Sequence, residues 1–555
     1  DKPGTLTCNE LTVKKILLAD GCLLNVGGEG FAPEGIIEVP DDLLQSSRKL
    51  LENLIEIGTL CNEADLHLRD SEWVFHGDPT DIALLTLSHK AGLNRANLDI
   101  THKQGCEIPF EPERQFAANF YEHDGKVSVF IKGAPERILN MCKSIDENKD
   151  ITERAEALAA DGYRVLAMAI GEEENRENFS QEPSNLTLIG FVAMIDPLRP
   201  GVKDAIHDCQ AAGVKVSMVT GDHPVTALAI SRQLGLADSI SQVVSGTELT
   251  KMSREDLKKC LEKTRVFART APAQKLEIVL AAQETGYTVA VTGDGVNDAP
   301  ALQAANIGIA MGKSGTDVAR EASELVIADD NFATIVAGIE EGRIAYDNVR
   351  KVTYLLVSTG ACEILLLGAA LLAGLPLPLL PAQILWLNLV TNGIQDVALA
   401  FEPGEGDVLK RKPRPVNERI FNKLMIERTI IGGLLMATVT FLRFCWMLQN
   451  GWEIEHARNA VLLLMVLFQN VQVGNCRSET KSGLTLSPLR NPILLFGTLA
   501  ALAVHVLAMN VPFMQAFLQT KPVNLIELLG FFGLALTVFV PIEFHKLSWR
   551  LRTRQ

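Results

Sequence analysis

The chain has 555 residues, and at roughly 150 residues per domain that length corresponds to three or four units, which excludes a single small module. Its 52 basic against 67 acidic side chains leave a formal charge of −15, without the basic footprint that nucleic acid or an anionic surface requires. With 47% hydrophobic and 21% charged residues it is too apolar for disorder.

The opening segment DKPGTLT (1–7) is charged and turn-like and does not read as a signal peptide. From about residue 20 to 185, Gly-rich and acidic loops alternate with short strand patterns, EWVFHGDPT (72–80) and KVSVFIKGAPE (126–136), and read as a domain inserted within another. Around it, β-branched runs ending in Gly or Asp alternate with helical stretches: VKVSMVTGD (214–222), YTVAVTGDG (287–295), IGIAMG (307–312) and ELVIADD (324–330). Strand, crossover helix, strand predicts an α/β domain with a parallel sheet, whose ligands bind at the carboxyl ends of the strands. The Asp and Gly residues fall at those ends. The predicted boundaries are 1–20 with 186–335 for the discontinuous α/β domain, 21–185 for the insertion, and 336–555 for the remainder.

That remainder is an all-α membrane domain. Six runs could each cross about 30 Å of hydrocarbon: 352–373, 379–401, 429–448, 458–476, 491–510 and 524–544. Lys and Arg collect between 402 and 428 and again at Lys546, Arg550, Arg552 and Arg554, while the turns near 374–378 and 449–457 carry none. By the positive-inside rule the head, the basic loop and the tail share the cytoplasm. Ten scattered cysteines without a CxxC pair support neither a disulfide framework nor a zinc ribbon.

Four clusters can meet at one sheet edge: Asp1 and Lys2, Thr220 with Gly221 and Asp222, Lys275, and Asp294 with Asp298. Alone, each reads as a turn or a solvated lysine. Together they suit phosphoryl transfer, because a carboxylate can attack phosphorus only where cations offset the crowded charge. Asp294 and Asp298 offer hard oxygens for Mg²⁺, Lys275 a countercharge, and Thr220 a hydroxyl for the phosphoryl oxygens.

The ordered set DKPGTLT, KGAPE (132–136), DPLRPGVKDAI (196–206), MVTGDHPVTA (218–227), VFARTAPAQK (266–275) and TGDGVNDAPAL (292–302) resembles the motifs of the P-type cation-transporting ATPases. GIAMGKSGTDVAREAS (308–323) and the polar-studded stretch 352–401 are most similar to the calcium and sodium pump branch. The resemblance implies a haloacid-dehalogenase-like phosphorylation domain, an inserted α+β nucleotide-binding domain and a C-terminal helix bundle. It also implies ATP and Mg²⁺, a transported cation, a lipid bilayer and no nucleic acid. The expected location is the plasma (inner) membrane.

By the same resemblance Asp1 is the phosphorylated nucleophile, with Lys2 beside it and Thr5 a phosphate contact. Thr220, Gly221, Asp222, Lys275 and Asn297 surround the phosphoryl group, and Asp1, the carbonyl of Pro3, Asp294 and Asp298 surround Mg²⁺. Thr80, Asp81, Phe110, Lys132, Gly133, Arg164 and Arg269 fall where the family contacts ATP. The family motif has Thr where this chain has Pro3, which keeps a carbonyl but fixes φ. Its usual Lys five residues after the Phe is Gln115 here, which predicts weaker ATP binding.

In the membrane domain, ionisable groups at bilayer depth are functional candidates. Glu363 lies in the first span, and Asn388, Asn392 and Asp396 follow at i, i+4 and i+8 in the second, with Thr391 beside them and Gln469 in the fourth. These resemble the family's ion-binding positions. Ca²⁺ is the expected cation and Na⁺, K⁺ or H⁺ the alternative. Arg443 is expected to snorkel and His505 to pack. In the family an actuator domain and further membrane helices precede the phosphorylation motif, so the expectation is that this portion does not pump by itself. A membrane-tethered phosphatase and an inactive truncated remnant are the competing readings.

Overall fold

The computed structural model describes residues 2, 4–70, 72–93, 95–98, 103–111, 113–123, 126–143, 149–173, 182–415 and 418–553. The chain divides into two compact units, Asp1–Val336 and Ala337–Gln555.

The first unit begins with β1 (Thr12–Leu18), β2 (Leu23–Val26), β3 (Ile37–Glu38) and the hairpin β4 (Asp65–Arg69) with β5 (Glu72–His76). It continues through β6 (Lys103–Ile108), β7 (Phe116–His123), β8 (Lys126–Gly133), β9 (Arg164–Glu173) and β10 (Thr187–Ile195). All but the hairpin form one eight-stranded antiparallel sheet in the order β3-β2-β1-β10-β9-β8-β7-β6. Its two faces follow the period of two along each strand. Phe116, Ala118 and Phe120 of β7 join one core with Val129, Ile131 and Phe191, over the helices Pro135–Met141 and Lys149–Ala160. Ala117 and Tyr121 join the other with Phe130 and Met168, under the helices Gln45–Leu60 and Pro79–Lys90. The register shift between Leu188 and Gly190 resets the alternation, so Leu188 and Phe191 share a face.

This sheet corrects the sequence boundaries. Residues 12–18 and 187–195, assigned above to the α/β domain, pair with each other in the antiparallel sheet. Runs such as TVKKILL carry no mark of parallel or antiparallel partners, which only long-range pairing decides.

The parallel strands β11 (Met218–Val219), β12 (Val243–Ser245) and β13 (Val266–Ala268) form a sheet in the order β11-β13-β12. A second has the order β14-β15-β16, from β14 (Ala290–Gly293), β15 (Ile307–Met311) and β16 (Leu325–Ile327). The four strands read from the sequence are all present, each shorter than its apolar run. β12 and β13 were not foreseen.

In the second unit the described residues contain four helices long and apolar enough to cross a membrane: Phe332–Leu372, Lys423–Gln449, Ile454–Cys476 and Leu525–Arg552. A fifth candidate is the pair Pro492–Ala508 and Pro512–Leu518, bent by 94°. Of the six spans expected from the sequence, 379–401 is not one regular α-helix: helices Pro381–Trp386 and Gly393–Ala400 flank a π-helical stretch, Leu387–Asn392. Ile364, Leu371, Leu389, Ile430, Phe496 and Ile526 are exposed, as a lipid-facing surface requires.

Candidate active site and membrane site

The opening loop packs against the carboxyl ends of the parallel strands. Gly4 takes φ +65°, a conformation glycine adopts without strain, and a Cβ there would collide with the Asp294 carboxylate. The loop after β14 therefore touches the backbone of the opening turn. Lys2 is buried, its Nζ 3.1 Å from Asp196 Oδ2 and 3.2 Å from Asp222 Oδ2. One cation thus ties the end of β10 to the loop after β11. The Thr7 hydroxyl donates to Asp196. Thr5 is fully buried and its Oγ1 has no partner among the described residues, so the hydroxyl is free to donate to a ligand. Asp1 and Pro3 lie outside the described residues.

Two side chains that the sequence reading did not single out fix this loop. Arg199 donates from Nε (3.1 Å) and Nη2 (2.7 Å) to the Gly4 carbonyl, and Nη2 is 3.8 Å from Asp330 Oδ2. Asp330 in turn accepts the N–H groups of Gly312, Lys313 and Ser314 at 2.7–2.9 Å. Burial works to raise its pKa, but those N–H groups and the Ser314 hydroxyl outweigh it and hold the carboxyl below the ordinary range. Both residues lie within motifs quoted from the sequence, DPLRPGVKDAI and ELVIADD, where only context distinguishes an anchor from a turn.

Thr220 follows β11. Its hydroxyl accepts the Asp222 N–H (3.1 Å), and its carbonyl accepts the Thr270 hydroxyl (3.0 Å) from the loop after β13. Gly221 and Arg269 are exposed beside it; Arg269 has φ +50° and donates its N–H to the Asp222 carbonyl. Lys275 lies on the first turn of helix Pro272–Glu284, whose N1 proline suits a helix start, and reaches Asp298 Oδ1 at 2.6 Å. Asp298 is buried and also accepts the Gly295 N–H, while Asn297 is exposed. Gly293 is required because a Cβ would come within 2.6 Å of the Asp298 side chain.

Burial, then the charge of Asp298, pushes the Asp294 carboxyl above its ordinary value. A divalent cation would relieve both, and carboxylate oxygens are the hard donors Mg²⁺ prefers. Among the described residues no three His, Cys, Asp or Glu side chains form a metal-ligating group. The two carboxylates fit Mg²⁺ as a partial shell, the form it takes when phosphate and water complete its coordination.

The predicted nucleotide contacts gather at one end of the antiparallel sheet. The register aligns Gly133 with Phe116 and Ala167, so the end of β8, the start of β7 and the start of β9 at Arg164 are neighbours. Phe110, 54% exposed in the loop before β7, presents a ring for stacking, and Arg164 is exposed. Gly133 is demanded by closeness: a Cβ would lie 2.5 Å from the Gln115 carbonyl. Gln115, in place of the expected Lys, takes φ +61°. Asp78 caps helix Pro79–Lys90 by accepting the Thr80 N–H at 2.8 Å, which fixes Thr80 and Asp81 in its first turn. Lys132, also among the expected ATP contacts, is not an open cation. It is buried and bound to Asp81 at 2.5 Å, because a desolvated ammonium on an inward strand position needs a carboxylate.

In the membrane unit Glu363 is 6% exposed; its Oε2 accepts the Asn388 amide at 3.0 Å and its Oε1 has no partner. Asn392 donates to Thr359 Oγ1 and Asn388 Oδ1, each at 3.3 Å, and leaves its own Oδ1 unpartnered. The Thr391 hydroxyl donates to Gln469 Oε1. Asp396 is half-buried with Oδ1 unpartnered, and fully buried Gln395, not predicted, leaves Oε1 unpartnered. The i→i+5 winding at Leu387–Asn392 shifts the phase that an i, i+4, i+8 count assumes, and π-turns of this kind are frequent at functional sites. His505 packs as expected, accepting the Trp386 indole N–H at 3.1 Å.

Comparison with known proteins agrees in all three regions. Residues 50–201 match the P-type ATPase cytoplasmic domain N, residues 152–303 the haloacid dehalogenase-like hydrolases, and residues 376–548 the cation transporting ATPase C-terminus. The chain is 38% identical over 540 residues to a calcium-transporting ATPase of Bacillus subtilis, covering 94% of this chain and 60% of that protein. It is 35% identical over 574 residues to a probable cation-transporting ATPase F of Mycobacterium tuberculosis, covering all of this chain and 63% of the relative. Against the calcium-transporting ATPase type 2C member 1 of Mus musculus the identity is 33% over 570 residues, covering 100% and 60%. The chain thus spans about three fifths of the length of these relatives. With three regions matched in order and similarity along its length, the chain belongs to the P-type cation-transporting ATPases.

Proposed function

We propose that the chain supplies the phosphorylation, nucleotide-binding and C-terminal membrane portions of an ATP-driven pump that works through an aspartyl phosphate. Ca²⁺ is the proposed cation, in keeping with the names of the Bacillus and mouse relatives. One observation carries the reading: a loop clamped by Lys2 between Asp196 and Asp222, with Gly4 against Asp294 and a free Thr5 hydroxyl within it.

In this scheme the Asp1 carboxylate attacks the γ-phosphorus of ATP, the bond to the β–γ bridging oxygen breaks, and ADP leaves. Thr5, Thr220 and Asn297 hold the phosphoryl oxygens, and Lys275 offsets their charge. Arg199 and Lys2 keep the loop from drifting, which matters because a misplacement of about 1 Å can cost about a hundredfold in rate. Mg²⁺, held by Asp294 and Asp298 with Asp1 and the Pro3 carbonyl, would neutralise charge on the transferring group. Phe110 stacks on adenine, the Lys132–Asp81 pair with Thr80 and Gly133 forms the floor, and Arg164 and Arg269 face the phosphates. In the membrane unit, Glu363, Asn388, Thr391, Asn392, Asp396 and Gln469 offer oxygens, joined by Gln395. Ca²⁺ takes six to eight such ligands. We place the head in the cytoplasm, from the basic residues at 402–428 and the tail, and propose the plasma membrane for the bundle.

The test is Ca²⁺-dependent phosphorylation from ATP in native membranes. Glu363→Gln and Asp396→Asn should each raise the Ca²⁺ concentration needed for half-maximal labelling by at least about tenfold, the equivalent of one lost charge-assisted contact. Unchanged Ca²⁺ dependence in both variants would overturn the membrane assignment.

A further inference from the structure

At the end of the bundle away from the basic segment 402–428, the second unit holds a cavity of about 380 Å³ bounded by Arg443, Trp452, His456, Asn459, Glu527 and Phe531. That volume lies within the range of about 300–1,000 Å³ typical of small-ligand sites. None of these residues has a part in the proposed phosphorylation or cation sites.

Two polar groups in the cavity wall lack hydrogen-bond partners among the described residues. Arg443 lies over two rings, its guanidinium 4.3 Å from the Trp446 centroid and 5.5 Å from that of Phe531, and its buried Nε has no hydrogen-bond partner among the described residues. Asn459 gives its amide N–H to the Lys521 carbonyl but leaves a buried Oδ1 without a donor. Glu527 uses Oε2 to cap its helix at Asn524. The other charged groups nearby already face one another: His456 Nδ1 is 3.3 Å from Glu453, and Lys521 is 3.8 Å from both Glu453 and Glu455. A half-buried guanidinium whose buried Nε lacks an acceptor and a buried amide oxygen lacking a donor both call for a ligand with one anionic and one donor group.

We infer that this cavity is a binding site for a zwitterionic phospholipid headgroup bearing a primary ammonium. The phosphodiester oxygens accept from Arg443, whose fork matches phosphate. The ammonium donates to Glu527 and Asn459 Oδ1 and lies against the Trp452 ring. Depth favours a lipid over a soluble ligand of the same chemistry. Arg443 sits six residues before the end of helix Lys423–Gln449, about 9 Å at 1.5 Å per residue. Trp446 and Trp452 flank it as an interfacial aromatic belt does. The apolar wall of Phe531, Leu534 and Val523 then receives the first carbons of the acyl chains.

Native mass spectrometry of the purified full chain tests this, with phosphatidylethanolamine, phosphatidylglycerol and free phosphoethanolamine as probes. Phosphatidylethanolamine should be retained about tenfold better than phosphatidylglycerol, and Arg443→Gln should reduce its retention about tenfold, the size of one charge-assisted bond. Arg443→Lys, which keeps the charge but not the fork, should restore part of it, which separates a lost contact from a misfolded bundle. Glu527→Gln should leave phospholipid bound but abolish the preference for the amine. Equal retention of the two lipids, unchanged retention in Arg443→Gln, or free phosphoethanolamine binding as well as the lipid would each overturn the assignment.

Discussion

Asp294 shows how far one side chain could be read in advance. Its residue type and its place after a β-branched run marked it as a metal candidate, and the structure sets it against Gly4, whose left-handed turn leaves room for the carboxylate. What the sequence did not carry is its strain. Burial and Asp298 raise its pKa, so ionised Asp294 destabilises the fold; the penalty is full above the raised pKa and fades as pH falls through it toward the ordinary value near 3.9. Asp294→Asn should therefore unfold at higher urea than the wild type at pH 7 without Mg²⁺. Mg²⁺ at one hundred times its Kd should stabilise the wild type by about 2.7 kcal/mol and the variant much less. Equal Mg²⁺ stabilisation of both, followed by urea denaturation, would remove Asp294 from the metal site. Lys132 teaches the opposite lesson: its burial against Asp81 depends on a partner 51 positions earlier that no local pattern reveals.

Among elements, a helix start carries local marks that a strand's partner does not. GDPT reads as a cap followed by an N1 proline, and helix Pro79–Lys90 begins there, with Asp78 holding the Thr80 N–H. Asp78→Ala should cost about 1 kcal/mol by loss of that cap. Because the same turn carries Thr80 and Asp81, it should also weaken binding of a fluorescent ATP analogue; a variant that loses stability but keeps its affinity would detach the helix start from nucleotide binding. Strand partnership was less legible, since β1 and β10 have ordinary apolar patterns and find each other across more than 160 residues. The interrupted second span was half visible. Gly393 marks a weak point in the helix, but no local pattern marks the π-helical winding at Leu387–Asn392 or the burial of Gln395.

For the whole molecule, the order of chemistry along the chain was the most legible feature. The candidate nucleophile, the nucleotide motifs, the acid-bearing strand ends and the polar membrane helix follow one another as in the matched relatives. Anchors such as Arg199 and Asp330 escaped notice because holding a loop needs no distinctive residue type, only a position that folding creates. The central claim is that ATP phosphorylates Asp1 under control of a membrane-bound cation. Native membranes containing the protein, given γ-phosphate-labelled ATP with and without Ca²⁺, should yield an acid-stable, hydroxylamine-sensitive label that appears with Ca²⁺ and vanishes in Asp1→Asn. A label that persists in Asp1→Asn, or none under any cation, would contradict the account.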